Sequence, residues 1–480
     1  MPCEKILLKN PQQQPRKKNL VETLFSVNWG IFGKTVLSTD FNVRLMKFKQ
    51  ITCLLILVIV LPLFINYNLT AKEVNAKTSP NLYVGVDVAF ESVADTEHLI
   101  DNLSSFTNFF VIGCTGDYNE VRLTTISQYA YDKGLTFIVY TDDTRYPSKT
   151  WLADAQKWGS NFLGIYFYDE PGGKQLDQSS YPLVTKADNY SDASNKYVGL
   201  LSWWLKDGPR SMTKSFGDSN YQLFTSDYSL YWYDYEGGYD TVFAEFALNY
   251  SRELNIDLCR GASTAHNKDW GVMITHSSTD FPYLESGPDL YSDMVFAYEN
   301  GAKYIIIFDS DPNWTRDILQ PDQLTAMQQF WQYTKTHPRS ISPVADRSAY
   351  VLPQDYAYGF RAPTEDRIWG LWSNDSLTLA VSMSMASLFQ IFGKNLDIVY
   401  PNNLRPPEAL GYKMVVYWND TRLIPTPTPT QTPSQNTTSG QPTQTLSLQP
   451  YLLFLVYALG ASLLVAILIS IIILKFKKRQ

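Results

Sequence analysis

The chain has 480 residues, of which 18% are charged and 14% aromatic, and its formal net charge is −7. This aromatic content excludes a disordered protein for the central region, and the length leaves room for two or three domains. The basic residues concentrate at the two ends, so that the chain between residues 50 and 475 carries 27 basic and 44 acidic residues. An acidic central region argues against nucleic acid as a partner.

The first predicted element is a short apolar segment. Residues 1–50 are basic and show no periodic pattern, and the apolar residues 51–67 that follow predict a signal peptide or a transmembrane anchor. In one interpretation the residues before Met46 are an over-extended gene start and the segment is cleaved. In the other they are a cytoplasmic tail before an uncleaved anchor. Both place the chain from about residue 70 to about residue 450 outside the cell.

Eight β-rich runs separated by amphipathic stretches follow between residues 78 and 338. Buried strands that alternate with helices predict a parallel sheet, and eight such units predict an α/β fold of the TIM-like (β/α)8 barrel type. A doubly wound open sheet is the alternative. That fold normally has fewer units and a phosphate-binding loop, whose glycine spacing "EPGGKQ" lacks. The runs are 82–90, 108–114, 136–142, 163–169, 222–227, 240–246, 270–276 and 303–310.

Helices are expected between these runs, where apolar residues recur with helical spacing. The stretch "YSLYWYDYEGGY" at 228–239 is instead expected to be a loop, since Gly237 and Gly238 close it. Its aromatic rings would stack on the apolar faces of sugar rings at the barrel mouth. Trp203 and Trp204 are expected to pack a helix against the barrel. The helical candidates are 122–134, 150–161, 250–263, 289–303 and 322–336.

Residues 339–423 predict a small α/β domain, since strand-like runs such as "SAYVLPQDY" and "LDIVY" flank a helix-like apolar run that ends at Gly393. The pattern is similar to a shortened form of the amidotransferase-like domain that follows the barrel in some β-galactosidases. Residues 424–450 are a Pro/Thr-rich stalk.

The C-terminal end predicts membrane anchoring. Residues 451–474 are uncharged and long enough to span a bilayer as a transmembrane helix, and the basic residues 475–480 are expected in the cytoplasm. We therefore expect a protein of the cell membrane with an extracellular barrel. Eight Asn-x-Ser/Thr sequons are compatible with a glycoprotein. Cys114 and Cys259 are either a disulfide pair or two buried thiols.

Acidic residues recur at the carboxyl ends of the predicted strands. These ends converge on one mouth of a barrel, where neighbouring carboxylates repel and one stays protonated beside an ionised partner. Such a pair is what cleavage of a glycosidic bond requires. The residues are Asp87, Glu91, Asp142, Asp143, Asp169, Glu170, Glu245, Asp309 and Asp311.

The stretch "YDEP" at 168–171 resembles the Asn-Glu-Pro motif that holds the acid/base in the large clan of retaining barrel glycosidases. The resemblance implies that Glu170 is the general acid/base and that Asp169 replaces a substrate-binding Asn. The longer stretch "LGIYFYDE" is also similar to the strand-4 signature of chitinase-type enzymes. Those enzymes carry aspartates where this chain has Tyr166 and Tyr168.

The second carboxylate is not where the retaining clan places it. The nucleophilic Glu of that clan ends strand 7, whereas "WGVMITH" ends in His276, so Glu245 and Glu285 are both candidates. No cofactor or metal is expected, since the four histidines show no ligand spacing. The candidate substrate-binding residues are Asp87, Asp142, Asp169, Tyr168, Trp232, Tyr235 and His276.

Each of these carboxylates also has an ordinary structural explanation. Asp169 and Glu170 could begin the next helix, where negative charge interacts favourably with the N-terminal end of the helix dipole. Glu245 could form a salt bridge with Arg260 inside the barrel. Glu285 could be an exposed acid in a loop, and Asp87 could be a hydrogen-bonded carboxylate in the core.

The sequence thus predicts a cell-surface, membrane-anchored glycoside hydrolase-like protein that acts on polysaccharide or glycoprotein glycans by carboxylate acid/base catalysis. The alternative is a non-catalytic glycan-binding or structural envelope protein on a degenerate barrel. The sugar, the linkage, the stereochemical outcome and the oligomeric state stay open.

Overall fold

The computed structural model describes residues 82–90, 92–113, 118–179, 181–213, 221–361, 367–402 and 405–420. The basic N-terminal segment, the signal or anchor segment, the stalk, the transmembrane helix and the basic tail that the sequence predicts lie outside these residues. The same is true of Glu91 and Cys114, whereas Cys259 is a buried free thiol.

Eight parallel strands close into a barrel, in which each strand pairs with the next along the chain and the eighth returns to the first. The closed barrel confirms the predicted (β/α)8 fold, and the open doubly wound sheet is wrong. The strands are β1 (Tyr83–Val88), β2 (Phe109–Ile112), β3 (Thr136–Thr141), β4 (Phe162–Phe167), β5 (Gln222–Asp227), β6 (Thr241–Phe246), β7 (Asp269–Ile274) and β8 (Tyr304–Phe308).

Aromatic rings fill the interior of the barrel. Phe224 and Phe243 stack with their centroids 5.8 Å apart, and Tyr304 packs at 5.5 Å from the rings of Phe109 and Phe243. Because Phe109 and Tyr304 are the first residues of β2 and β8, this cluster closes the amino-terminal half of the barrel. Space for a ligand is therefore found at the opposite end, where the strands finish.

Helices follow the strands as the sequence predicts, and polar residues such as Ser92, Asn119 and Ser251 cap their first turns. The candidate at 150–161 is divided into a short α-helix and a 3₁₀ helix, Ala155–Asn161. The helices up to β8 and the one after it are α1 (Val93–Leu103), α2 (Glu120–Asp132), α3 (Lys149–Asp154), α4 (Pro171–Leu176), α5 (Tyr190–Asp207), α6 (Pro209–Thr213), α7 (Tyr231–Gly237), α8 (Arg252–His266), α9 (Gly287–Glu299) and α10 (Pro321–Thr336).

The expectation of a loop at 228–239 is wrong, because helix α7 occupies most of this stretch. Its aromatic side chains face the protein interior rather than the mouth. The ring of Tyr233 packs 4.7 Å from Trp369 and 5.2 Å from Tyr400, both from the C-terminal residues. The glycines at 237 and 238 end a helix of two turns, which is too short to show helical periodicity in the sequence.

The C-terminal residues form the predicted strands and helix. Three parallel strands lie in the order β12-β9-β13, and helix α11 packs on them through Val381, Met385 and Leu388. The barrel and this module belong to one compact unit, Tyr83–Tyr333 with His337 onward, and the predicted domain boundary at 338/339 stays a prediction. The elements are β9 (Ser348–Val351), β10 (Arg367–Ile368), β11 (Trp372–Ser373), α11 (Ser376–Phe392), β12 (Leu396–Val399) and β13 (Met414–Tyr417).

One described helix, Ser376–Asn395, is long and apolar enough to cross a membrane by length and composition alone. This stretch contains α11, whose inner face packs on the C-terminal sheet. A helix that covers a sheet passes the same test, so the finding does not assign a membrane span.

A buried charge network joins α8 to the C-terminal sheet. The guanidinium of Arg260 donates to Asp397 at 2.7 Å and to Asp257 at 2.9 Å, and Arg347 donates to the other oxygen of Asp397 at 2.6 Å. The suggested salt bridge between Arg260 and Glu245 is therefore wrong. Arg260 points outward from the barrel wall to β12, whereas Glu245 points into the barrel.

Candidate active site

A cavity of about 420 Å³ opens at the carboxyl ends of the strands. Carboxylates and aromatic rings dominate its wall, and no lysine or arginine is among the described residues that line it. Such a concave, partly apolar site with convergent polar groups is typical of a small-molecule or saccharide site. The lining carboxylates are Asp87, Asp169, Glu170, Asp177 and Glu245, and the lining rings include Tyr140, Tyr166, Tyr228, Tyr250, Phe308 and Trp314.

Glu170 reaches this cavity through an unusual backbone turn. β4 ends at Phe167, and Glu170 takes a left-handed conformation with φ 51° and ψ 48° before Pro171 begins α4. Glu170 thus occupies the N-cap position, but its side chain makes no capping hydrogen bond. Left-handed geometry at a non-glycine residue costs free energy and clusters at functional sites. The carboxylate is therefore turned to the cavity and not used to cap α4.

The start of α4 is capped by Asp227, at the end of β5. Its carboxylate accepts hydrogen bonds from the backbone N–H groups of Gly172 and Gly173, at 2.5 and 2.9 Å. A Cβ on Gly173 would lie 2.1 Å from Cζ of Tyr228, so the ring of Tyr228 occupies the space that any other residue would fill. The two glycines after Pro171 thus allow β5 to pack closely against the turn that carries Glu170.

Glu245 lies on β6 and is only 3% exposed. Its Oε1 accepts a hydrogen bond from Oγ of Ser226 at 2.5 Å, and the residue lines the cavity together with Glu170. The structure therefore brings together two of the three carboxylates that the sequence predicts to be catalytic.

Both carboxyl groups hold their protons more strongly than an ordinary glutamate. Burial raises the pKa of Glu170 to about 8, with the charge of Asp169 adding to the effect and Lys174 opposing it. Burial also raises the pKa of Glu245 well above its usual value, and Glu170 and Asp169 contribute. Burial and neighbouring negative charge both disfavour ionisation here, so we do not expect the two groups to be ionised together at neutral pH.

Hydroxyl groups connect this pair to Asp169. Oδ1 of Asp169 accepts hydrogen bonds from the hydroxyl of Tyr166 and from Oγ of Ser226, the latter at 2.7 Å. Ser226 carries one hydroxyl proton, so it can donate to Asp169 or to Glu245 but not to both at once. Sequence reasoning missed Ser226, although alternation along β5 places it on the same face as Phe224, which lies in the barrel interior.

Three of the residues predicted to bind substrate line the cavity: Asp87, Asp169 and His276. Asp87 points inward from β1, and burial together with the charge of Asp169 raises its pKa well above the usual value. Nε2 of His276 is 2.9 Å from the backbone oxygen of Ser310, and its ring packs against Phe308.

The other residues predicted to bind substrate are not in the lining. Asp142 accepts a hydrogen bond from the hydroxyl of Tyr118. Tyr168 packs against Trp204, with 5.0 Å between the ring centroids. Trp232 and Tyr235, which were expected to stack on sugar rings, are buried inside the protein. The ring of Trp232 packs on His266 and Tyr400, and the ring of Tyr235 stacks on His266. The prediction that these rings bind a sugar is wrong, because α7 places them in the protein interior.

Glu285 lies apart from the carboxylate pair. Its Oε2 is 3.5 Å from the guanidinium of Arg252, which also binds Asp293 at 2.9 Å. Burial raises the pKa of Glu285 to about 8, with Asp293 adding to the effect. A raised pKa alone therefore does not place a carboxylate in the cavity. Of the two candidates for the second carboxylate, Glu245 lines the cavity with Glu170 and Glu285 does not.

The aromatic lining comes mostly from residues that the sequence did not single out. Tyr228 follows β5 directly, and its hydroxyl donates to Asp177 at 2.7 Å. Arg361 of the C-terminal module also binds Asp177, at 2.7 Å, and its guanidinium lies 5.1 Å from the centroid of the Tyr228 ring. Arg361 of the C-terminal module therefore holds two lining residues, Asp177 and Tyr228, in place.

No group of three or more His, Cys, Asp or Glu side chains that could hold a metal ion occurs among the residues that the structure describes.

No family model matches this chain, and no curated protein matches it. Among solved structures, it is similar to GH5_18 from Streptomyces cattleya in complex with GlcNAc, at 11% identity over 71% of this chain and 99% of that one, with a TM-score of 0.48. It is also similar to the β-mannanase of the blue mussel Mytilus edulis, at 8% identity over 54% and 94% of the two chains, with a TM-score of 0.37.

The chain is also similar to enzymes of other chemistry. The D-psicose 3-epimerase of Clostridium cellulolyticum H10 matches at 9% identity over 54% of this chain and 100% of that one, with a TM-score of 0.31. These comparisons describe a TIM barrel with distant structural similarity to glycoside hydrolases and mannanases. At this identity the fold does not assign the reaction.

Proposed function

We propose that this protein is a glycoside hydrolase that acts on polysaccharide or glycoprotein glycans. The observation that carries the proposal is that Glu170 and Glu245, whose pKa values are both raised, line one cavity at the carboxyl ends of the barrel strands. One protonated and one ionised carboxyl group supply the acid and the carboxylate that glycosidic cleavage needs.

Glu170 is the general acid in this proposal. Its pKa of about 8 keeps the carboxyl group protonated at neutral pH, so it can protonate the leaving oxygen. Its backbone N–H donates to the carbonyl oxygen of Ser226 at 3.0 Å, which fixes the turn between β4 and α4 relative to β5. A fixed acid loses little entropy when the substrate arrives.

Glu245 is the second carboxylate. Once Glu170 has given its proton to the leaving group, Glu245 attacks the anomeric carbon or stabilises the positive charge that develops there.

The test is Glu170→Gln in the full-length chain, assayed against a panel of polysaccharides and glycoprotein glycans. We expect hydrolysis to fall by about three orders of magnitude, because the neutral amide cannot donate the proton. Glu285→Gln is the matched control, since Glu285 also has a pKa of about 8 but lies outside the cavity lining. Hydrolysis by Glu170→Gln at the rate of the parent would exclude the proposed role.

The second candidate function is glycan binding without catalysis. The observation in its favour is on β7, whose end contributes Met273, Thr275 and His276 to the cavity and no carboxylate. A parent protein that binds oligosaccharides on a glycan array, yet hydrolyses none of them, would favour this candidate.

We also propose that the protein is anchored in the cell membrane with the barrel outside. Support comes from the uncharged residues 451–474 and the basic residues after them. Digestion of intact cells with an external protease should release the barrel, whereas a protected barrel would contradict this arrangement.

A further inference from the structure

Four of the five carboxylates that line the cavity have a cation or a hydrogen-bond donor beside them. Nζ of Lys174 lies 4.0 Å from Oδ2 of Asp169, and its charge also opposes the rise in the pKa of Glu170. Arg361 binds Asp177 at 2.7 Å. Glu245 accepts a hydrogen bond from Oγ of Ser226 at 2.5 Å.

Asp87 is the exception. Its side chain is 5% exposed and faces the cavity from β1. Its carboxylate has neither a hydrogen-bond donor nor a cation beside it within the part of the chain that the structure describes. Leaving a buried carboxylate without a partner costs several kcal/mol in general, which makes this position a site where a ligand gains binding free energy.

The electrostatic surroundings favour a positively charged partner over a neutral one. Asp87 and Asp169 line the same cavity, and burial together with the negative charge of Asp169 raises the pKa of Asp87, so an ionised Asp87 is repelled by its neighbour. A sugar hydroxyl would supply a hydrogen bond to Asp87 but would leave this repulsion in place. A protonated amine supplies several N–H donors together with a positive charge, and charge-assisted hydrogen bonds are about twice as strong as neutral ones.

We propose that the cavity binds a saccharide with a free, protonated amino group, an amino sugar of the glucosamine type, and that Asp87 is the residue that recognises this group. The inference rests on the proposed function, because it names the substrate class of the same site. Asp87 and the catalytic pair line the same cavity, so the amino group would lie on a sugar ring close to the reacting bond.

The experiment measures binding rather than hydrolysis, so that its outcome does not depend on catalysis. Glucosamine oligomers and N-acetylglucosamine oligomers of equal length are titrated calorimetrically into the full-length Glu170→Gln variant. We expect at least about tenfold tighter binding of the glucosamine oligomer. Adding Asp87→Asn, which keeps the shape and removes the charge, should reduce this preference to about twofold or less.

Asp142→Asn in the same background is the matched control, because Asp142 also ends a barrel strand but is not in the lining. Equal affinity for the two oligomers, a preference for the N-acetylated one, no binding of either, or a preference that persists in Asp87→Asn would overturn the inference. Tight binding of Ca²⁺ or Mg²⁺ that depends on Asp87 would overturn it in favour of a metal site. Absence of hydrolysis by the parent, with the binding preference intact, would overturn only the proposed function.

Discussion

Glu170 and Glu245 line the same cavity, although Glu170 follows β4 in a left-handed turn and Glu245 points inward from β6. Ser226 on the intervening strand β5 binds Glu245 and Asp169 with one hydroxyl group. Three neighbouring strands thus supply one connected set of proton donors and acceptors. A change at any member should alter the titration of the others.

Asp169→Asn should shift the pH dependence of the reaction. Burial is the main cause of the raised pKa of Glu170, and the charge of Asp169 is the next. Removing this charge lowers the pKa, so Glu170 loses its proton at a lower pH. We expect the alkaline limb of the kcat/KM profile to move to lower pH, measured between pH 4 and 9. Asp142→Asn, outside the cavity, should leave the profile in place, and an alkaline limb that stays or rises in Asp169→Asn would contradict this prediction.

Glu170→Gln should stabilise the protein at alkaline pH. The pKa of Glu170 is about 8 in the folded protein, whereas an unfolded glutamate titrates near about 4.3. A raised folded-state pKa means that the stability contributed by Glu170 is complete below pH 4 and is lost as the pH rises toward 8. We expect the variant to be on the order of 2 kcal/mol more stable than the parent at pH 8, less than the full pKa difference because the side chain is partly exposed to the cavity.

Urea denaturation at pH 4 and pH 8 measures this effect. The two proteins should have equal free energies of unfolding at pH 4, where the parent carboxyl group is protonated in both states. Glu97→Gln on α1 is the control, since Glu97 is far from the cavity lining. A Glu170→Gln variant that is less stable than the parent at pH 8 would refute the prediction.

Gly173→Ala should disturb the cavity wall. The new Cβ would lie 2.1 Å from Cζ of Tyr228, so the ring must leave its position. We expect a loss of about 1–3 kcal/mol in the free energy of unfolding and a higher KM, since Tyr228 lines the cavity. Gly199→Ala is the matched control, because a Cβ at this position in α5 meets no atom within 4 Å. It should be neutral or stabilising by up to about 1 kcal/mol. Equal effects of the two substitutions would contradict the assigned packing.

Arg361→Gln should weaken substrate binding more than catalysis. Arg361 holds Asp177 at 2.7 Å and lies over the ring of Tyr228, but it does not line the cavity itself. Without the guanidinium, the side chains of Asp177 and Tyr228 become more mobile. Binding of the substrate must then order them, which costs binding free energy. We expect KM to rise about tenfold with a smaller change in kcat. Arg145→Gln, in a pair whose arginine side chain is 88% exposed, should change neither parameter. A fall in kcat at constant KM would assign Arg361 a different role.

The sequence predicted the barrel because its strands are buried on both faces and therefore appear as continuous apolar runs. It also predicted the site residues that come at strand ends, since position along a strand fixes which end of the barrel a residue reaches. Glu170, Glu245, Asp87 and Asp169 all follow from this rule.

The residues that were missed or misplaced depend on tertiary packing. Trp232 and Tyr235 lie on a two-turn helix whose rings pack on His266 and Tyr400, and nothing local in the sequence records these contacts. Arg361 reaches the cavity wall from a distant part of the chain. Glu285 was a candidate only because it is the first glutamate after β7, and in the structure Arg252 binds its carboxylate.

The buried pairing of Arg260 with Asp397 has a consequence for how this chain can change in evolution. Gly261 leaves room for the carbonyl oxygen of Ile398 at a distance where a methyl group could not fit, so the two surfaces are matched in shape as well as in charge. Recombination that replaced the C-terminal module with an unrelated one would leave Arg260 paired with Asp257 but would remove the buried carboxylate of Asp397. Exchange of either part alone should therefore destabilise the chain.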